Sequence, residues 1–596
     1  MKKTLLIVGI CVAVTLLVLG LIGAFSSLGA YREMNAAKDQ LFSAVESLEK
    51  GDLEPAAAGF TEARANVEKA DSKLNSNIVG TGFLKIVPYA GTQVKALNSF
   101  IQIADHLSKA GIMATEAFRE VPGLDEVSPQ GQVSIATMVD LLPKLAGDLA
   151  PVEQELLLAR EESRAMKTRW LVGRASALKG ELDEKLDEAL GTLQKARELM
   201  AAVPGIVGEE GAPPKNYMVL QQDPYELRAS GGLISTYGIL ECTHDSLNIT
   251  EYKRANKLVG LTAGEGVIPP LQSLGGWMVS YGIAPTLCFW DAGWWPDFPL
   301  TTDILSTIWS KNGKVPVDGY IAVDPIAIGY VLEQIGPLEV PEFGETVTAE
   351  NLSSLILEYK EVRKGDAFLK SLSELFFQKV VGSDPGQWFS LGRAFGRALD
   401  EKHMLLYFKD PEVEQCFSEL DWSGEVKETD GDYLMAVDCN VGGNEVQGYK
   451  ANYFIKPTMS VEVTRRNDST LQHHVTYTFD NTSGATEFPL TYKSYLRLYV
   501  PEGAVVEGAV DVTASGLMDS GSELGKHVFG KLVDVPVGQV VNVEFDYVTP
   551  GYESILLEKQ CGVANMNVKF VYVEDGSIKK TEEVQLKNET RLDLSE

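Results

Sequence analysis

Past Lys456 the chain changes period, and this change constrains the possible fold more than any other feature. Residues 460–464, 474–479, 495–500, 541–545 and 567–573 alternate apolar and polar side chains. Between them lie turn residues, namely Asp480-Asn481, Pro501-Glu502-Gly503, Pro550-Gly551 and Asp575-Gly576. A period of two gives each segment one face for a core and one for water. Strands of this kind with short turns predict an antiparallel β-sandwich of immunoglobulin-like kind over residues 456–596. His473 and His474 are adjacent in one strand and are expected on opposite faces.

Upstream, residues 31–204 follow a helical period. Phe60, Ala63, Val67, Ala70 and Leu74 advance by threes and fours, as do Leu182, Leu186, Ala189, Leu193, Ala196 and Met200. Such spacing lays one apolar stripe along each helix, suited to antiparallel hairpins or a coiled coil. The region is expected to form a helical stalk or bundle, with a stop and restart at Gly51-Asp52. A turn-rich linker follows at residues 205–214. From there to residue 450 short strands (217–220, 233–237, 246–252, 319–323) interleave with helical runs (302–309, 325–335, 350–359, 367–381). That order predicts a mixed α/β domain over residues 215–450.

At the start of the chain, Lys2-Lys3 precede an uncharged run from residue 4 to residue 25. About 20 apolar residues span a hydrocarbon core of about 30 Å, so residues 1–30 read as an N-terminal transmembrane anchor. The flanking lysines place the N-terminus in the cytoplasm and the bulk of the chain outside, as a single-pass protein of the cell membrane. The net charge is −30, from 53 Lys+Arg and 83 Asp+Glu over 596 residues. A chain this acidic repels phosphate backbones, which excludes nucleic acid as a partner. The sequence sets no oligomeric state.

Familiar catalytic signatures are missing. No phosphate-binding glycine loop, nucleophile elbow or H-E-x-x-H helix occurs, and the six histidines lack metal-ligand spacing. No C-x-x-C pair occurs among the six cysteines. Three polar clusters remain. The first is the segment 220–233, in which Glu226 and Arg228 could hold an anionic ligand or each other, beside Gly231 and Gly232. The second is the aromatic run 289–298, with Asp297 and the nearby Asp303. It suits a carbohydrate or lipid-headgroup platform, or a loop that buries its aromatics with the aspartates as caps. The third is the segment 358–370, where Arg363, Asp366 and Lys370 offer charge to a phosphate or line a solvated face.

Several of these motifs, taken in order, resemble the domain-of-unknown-function family 4012. They are Q-Q-D-P-Y-E-L-R-A-S-G-G-L-I-S-T-Y at 221–237, W-W-P-D-F-P at 294–299, V-D-G-Y-I-A-V-D-P at 317–325 and I-G-P-L-E-V at 335–340. Further matches are L-D-W-S-G at 420–424, C-N-V-G-G-N at 439–444 and Y-L-R-L-Y-V-P at 495–501. The resemblance implies a membrane-anchored prokaryotic cell-envelope protein without an assigned biochemical role. A more distant resemblance is to the LytR-CpsA-Psr phosphotransferases, through residues 317–340 and the segment from Arg363 to Lys370. Arg363 and Asp366 match that family's basic helix, Leu369 and Lys370 straddle its next basic position, and its closing Arg-Gln pair is absent.

Two expectations follow. One is an extracytoplasmic protein that binds or organises cell-wall or surface glycopolymers. The other is a Mg²⁺-assisted phosphotransferase that moves glycopolymer from a polyprenyl-pyrophosphate carrier. In the second, Arg228, Arg363 and Lys370 would meet the pyrophosphate and Asp297 or Asp366 the metal.

Overall fold

The computed structural model describes residues 30–594, apart from 51, 77–87, 120–134, 168–172, 262–286, 360–365, 384, 443–449, 468, 485–490 and 507–518. The chain divides into two compact units. The first comprises the helices up to Pro214 together with residues 243–246 and 382–393, and the second holds the remainder.

Six helices build the first unit: α1 (Ala30–Lys50), α2 (Leu53–Ser76), α3 (Pro88–Arg119), α4 (Ile135–Asp148), α5 (Ala150–Ala165) and α6 (Gly173–Val207). α1 ends at Lys50 and α2 begins at Leu53. Phe60, Ala63, Val67, Ala70 and Leu74 from α2 are buried, as are Leu182, Leu186, Ala189 and Leu193 from α6. Ala196 and Met200, at the far end of that stripe, are half-buried. All six helices feed one core, instead of the two-helix seam of a coiled coil. At its centre the Phe60 ring lies so close to Gly111 that a Cβ there would collide with it.

The expected fold class needs correction on its first element. Among the described residues no helix is long and apolar enough to cross a membrane. Even the longest, α6, carries charge along its length through Lys179, Glu181, Asp183, Glu184, Lys185, Asp187 and Glu188. The uncharged run at residues 4–25 lies outside the described residues.

The second unit opens with a five-stranded sheet. Its strands are β1 (Lys215–Asp223), β2 (Leu233–Thr243), β3 (Ser246–Arg254), β4 (Gly319–Val323) and β7 (Met404–Phe408), in the order β3-β2-β1-β4-β7. β1 and β4 run parallel, with Tyr217 opposite Gly319 and Gln221 opposite Val323. Their connection includes α7 (Phe298–Lys311), and helix α8 (Pro325–Ile335) follows β4 directly. A small hairpin, β5 (Leu338–Val340) with β6 (Glu345–Val347), precedes α9 (Leu352–Leu357) and α10 (Asp366–Val381). Helix α11 (Pro385–Asp400) leads into β7, and α12 (Pro411–Glu419) leaves it.

Two six-stranded sheets complete the unit. One has the order β12-β15-β10-β9-β17-β18, the other β13-β14-β11-β8-β16-β19. Their strands are β8 (Asp432–Asn440), β9 (Ile455–Arg465), β10 (Leu471–Asn481), β11 (Tyr492–Pro501), β12 (Val505–Val506), β13 (Asp519–Glu523), β14 (Lys526–Val535), β15 (Val540–Thr549), β16 (Ser554–Glu558), β17 (Met566–Glu574), β18 (Ser577–Leu586) and β19 (Thr590–Asp593). Residues of both sheets close one core, as in a sandwich. Alternation along β10 turns His473 inward, fully buried, and His474 outward.

The sandwich is not purely antiparallel, however. β16 pairs parallel with β8 and β17 parallel with β9, so the expected purely antiparallel pairing is corrected to a mixed arrangement. Strand β8 shows why. Every one of its nine residues is buried, because Leu434 and Ala436 face the sandwich core while Tyr433, Met435, Val437 and Cys439 face a second core shared with α7 and β1. A strand covered on both faces loses the alternation that marks a half-exposed one.

Candidate functional site

The loop that joins β1 to β2 lies between the five-stranded sheet and the sandwich sheet containing β8 and β11. Its geometry begins with Asp223. A carboxylate followed by proline favours a helical start, because the side chain accepts from the first turn and the proline has no N–H to satisfy. Here Asp223 Oδ1 accepts from the Tyr225 N–H at 3.1 Å and opens a single 3-10 turn, Pro224–Glu226. The Tyr225 hydroxyl meets Ser353 Oγ at 2.5 Å, and its ring packs edge-on against Tyr453. The Leu227 N–H donates to Asn452 Oδ1 at 3.2 Å.

Glu226 and Arg228 do not pair through their side chains. Lys450 Nζ donates to Glu226 Oε1 at 2.6 Å and to Asp223 Oδ2. Burial raises the Glu226 carboxyl above its usual range, and Lys450 offsets only part of that rise. Burial also opposes the charge on Lys450, but Asp223 and Glu226 more than offset it and hold the ammonium above its usual value.

Arg228 turns the other way, into the protein. Its Nε donates to Asp291 Oδ1 at 2.8 Å, and Nη1 donates to the carbonyls of Asn440 at 2.8 Å and Leu227 at 3.1 Å. Burial opposes its charge too, and Asp291 and Glu226 overcome that opposition. A guanidinium with a carboxylate and two carbonyls on its fork is a structural cation.

The two glycines serve backbone contact. Gly231 and Gly232 have φ of +125° and +155°. A Cβ on Gly232 would stand 2.5 Å from the Asp223 carbonyl, and one on Gly231 would meet the Gln222 side chain. The close neighbour is the segment after β16. Ser230 forms a parallel bridge with Cys561, and Gly562 packs so tightly against the Gly231 backbone that it has no space for a side chain. Gln560 Nε2 donates to the carbonyls of Asp438 at 2.8 Å and Arg228 at 3.2 Å.

Asp297 is a helix cap. Its Oδ1 accepts from the Leu300 N–H at 2.8 Å and its Oδ2 from the Val426 N–H at 3.1 Å, while burial raises its carboxyl. Asp303 lies inside α7, exposed, and caps nothing. The aromatic run does not present a platform, since Phe289, Trp294, Trp295 and Phe298 are all buried. Trp294 stacks on Tyr495, and Arg497, which is fully buried, lies 4.9 Å from the Trp294 ring centre and donates to the Trp294 carbonyl at 2.5 Å.

The third cluster is only partly described. Arg363 lies outside the described residues, and Asp366 opens α10, its side chain not described. Lys370 is exposed on α10, 3.7 Å from Glu374 one turn on. The structure thus holds Glu226 and Arg228 on one loop and Asp297 at the start of α7, each bound to protein groups. Asp297 has spent both oxygens on backbone donors. Among the described residues no three His, Cys, Asp or Glu side chains converge as metal ligands. Asp297 therefore does not fit the Mg²⁺ of the phosphotransferase expectation.

Sequence reasoning missed four buried charges that complete the arrangement: Asp223, Asp291, Lys450 and Arg497. Asp223 and Arg497 lie inside motifs quoted for the resemblance, and their signal was a charged residue within an otherwise strand-like run. It also missed the buried His403–Asp324 pair, Nδ1 to Oδ2 at 2.6 Å, whose partners are 79 residues apart in the chain. Asp324 Oδ1 meanwhile caps α8 through the N–H groups of Ile326 and Ala327.

No curated protein and no solved structure matches the chain. Residues 213–360, which carry the β1–β2 loop, the aromatic run and β4 with α8, match the family model described as "Protein of unknown function (DUF4012)".

Proposed function

We propose that this chain is a non-catalytic component of the cell envelope that works outside the cytoplasm and binds or organises surface glycopolymer. One observation carries the preference for binding over phosphotransfer. Arg228, the cation best placed to neutralise a pyrophosphate, is buried against Asp291 and two backbone carbonyls. Freeing it would strand a buried carboxylate, a cost that no ordinary encounter with a substrate repays. Lys370, the other described cation of that scheme, is exposed beside Glu374. The envelope placement rests on the uncharged run at residues 4–25 and on the resemblance read from the sequence motifs.

The test is co-sedimentation of the purified full chain with wall and surface-polymer fractions, beside an assay for transfer from a polyprenyl-pyrophosphate-linked glycan. Retention by a glycopolymer fraction without transfer is expected. Transfer activity, or failure to be retained by every envelope fraction, overturns the reading.

A further inference from the structure

The Lys450–Asp223–Glu226 cluster holds an amine and two carboxyl groups in contact, sealed inside the protein. The exposures of the three side chains are 5%, 3% and 13%. Asp223 ends β1 of the five-stranded sheet, whereas Lys450 lies between β8 and β9, so the cluster joins that sheet to the sandwich. Lys450 Nζ touches Asp223 Oδ2 and lies 2.6 Å from Glu226 Oε1, while Asp223 Oδ1 is held by the Tyr225 N–H. The rings of Tyr225 and Tyr453 pack together at the same turn.

We propose that Lys450 and Asp223 condense into an intramolecular isopeptide bond, with Glu226 as the catalytic acid and base.

The chemistry balances with no added reagent. Proton transfer from the Lys450 ammonium to the Asp223 carboxylate gives a neutral amine beside a neutral acid. The Nζ lone pair attacks Asp223 Cγ, forming the C–N bond. Glu226 donates its proton to the leaving Oδ2 and takes one from the nitrogen, and the C–O bond breaks with release of water. Glu226 ends as it began. Oδ1 remains as the amide oxygen, and the Tyr225 N–H that already holds it stabilises the charge that develops there.

Burial favours this outcome in two ways. It raises the Glu226 carboxyl above its usual range, the direction that an acid–base role requires. It also makes the ion pair expensive to keep, whereas an amide carries no charge. Contact between the reacting groups, Lys450 Nζ and the Asp223 carboxylate, supplies the proximity that an uncatalysed amine and acid in water lack.

A second buried lysine is an internal comparison. Lys402 Nζ lies 3.0 Å from Glu558 and 3.3 Å from Asp421, but Asp421 is more exposed and also holds Lys427 at 3.1 Å. There Asp421 is shared between two cations and Glu558 also accepts from the Tyr433 hydroxyl at 2.5 Å, so both carboxylates are expected to stay ionic.

The test is the mass of the purified full chain, followed by fragmentation of its protease digest. The expected mass is one water below that of the sequence, with one branched peptide joining the segments around Asp223 and Lys450. Lys450→Arg restores the full mass, and so does Glu226→Gln, which leaves both reacting groups in place. A wild-type mass equal to that of the sequence overturns the proposal, independently of whether any variant folds. So does a branch at Lys402 and Asp421. A branched peptide that persists in Glu226→Gln overturns the role given to Glu226.

Discussion

Arg228 Nε donates to Asp291 Oδ1 at 2.8 Å with both side chains buried, and this pair ties the β1–β2 loop to the aromatic run. Removing one partner leaves the other charged, buried and unpaired, which typically costs about 3–5 kcal/mol. Arg228→Met and Asp291→Leu are each expected to lower the stability of the second unit by that order in chemical denaturation. The double variant is expected to recover a part. The rest stays lost because the carbonyls of Asn440 and Leu227 also rely on the guanidinium. Single variants as stable as the wild type would show that the pair contributes nothing.

How much of this was legible in the sequence depended on whether a residue's partner was local. The alternation in β9, β10, β11, β15 and β17 reports a single buried face, so those strands could be read directly. Strand β8, packed on both faces, carries no such pattern. The segment Glu558–Gln560 is buried although it is polar throughout, because its partners come from β8, the β1–β2 loop and the residues just before β7. Glu226 and Arg228 stood out as charged residues near glycines, yet their partners lie 224 and 63 positions away. Spacing along the chain cannot separate a ligand site from an internal ion pair formed over such distances.

Asp438 gives a pH dependence whose sign can be stated. It is buried in β8 and accepts from the Tyr492 hydroxyl at 2.7 Å and from Ser494, with burial pushing its carboxyl from 3.8 up to about 6. A carboxyl raised on folding stabilises the fold below its unfolded value, and that contribution is lost as the pH climbs through the folded value. At 1.36 kcal/mol per unit, the loss between pH 3.8 and about 6 amounts to about 3 kcal/mol. Asp438→Asn keeps the shape without the titration. Its stability relative to wild type is therefore expected to rise by that order from pH 4 to pH 7, measured by denaturant titration at each pH. A flat difference would contradict the assignment.

Gly232 separates a packing role from a ligand-binding one. Its φ of +155° is open to glycine, and an added Cβ would stand 2.5 Å from the Asp223 carbonyl and 2.9 Å from the Pro224 nitrogen. Backbone at both contacts cannot swing aside, and a non-glycine residue in such a conformation costs about 1–3 kcal/mol before any clash is counted. Gly232→Ala is expected to lower the melting temperature of the unliganded protein. A variant with unchanged melting but weaker retention by glycopolymer would instead place a ligand at this turn.

Arg497 is the most deeply buried cation of the sandwich, and its planar fork is what the site requires. One Nη2 serves the Trp294 carbonyl at 2.5 Å and Cys439 Sγ at 3.1 Å, Nη1 reaches the Tyr499 hydroxyl at 3.1 Å, and the guanidinium lies over the Trp294 ring. A lysine keeps the charge but offers one compact ammonium on a flexible stem, which cannot meet these partners in one plane. Loss of a single hydrogen bond to a charged group typically costs about 1.5–3 kcal/mol. Arg497→Lys is thus expected to destabilise the second unit by at least that order. Because Trp294 stacks on Tyr495 beside it, the near-ultraviolet circular dichroism of the folded variant is expected to change as well. If Arg497→Lys leaves both stability and spectrum unaltered, charge alone suffices at this position and the fork has no part in joining β11 to the aromatic run.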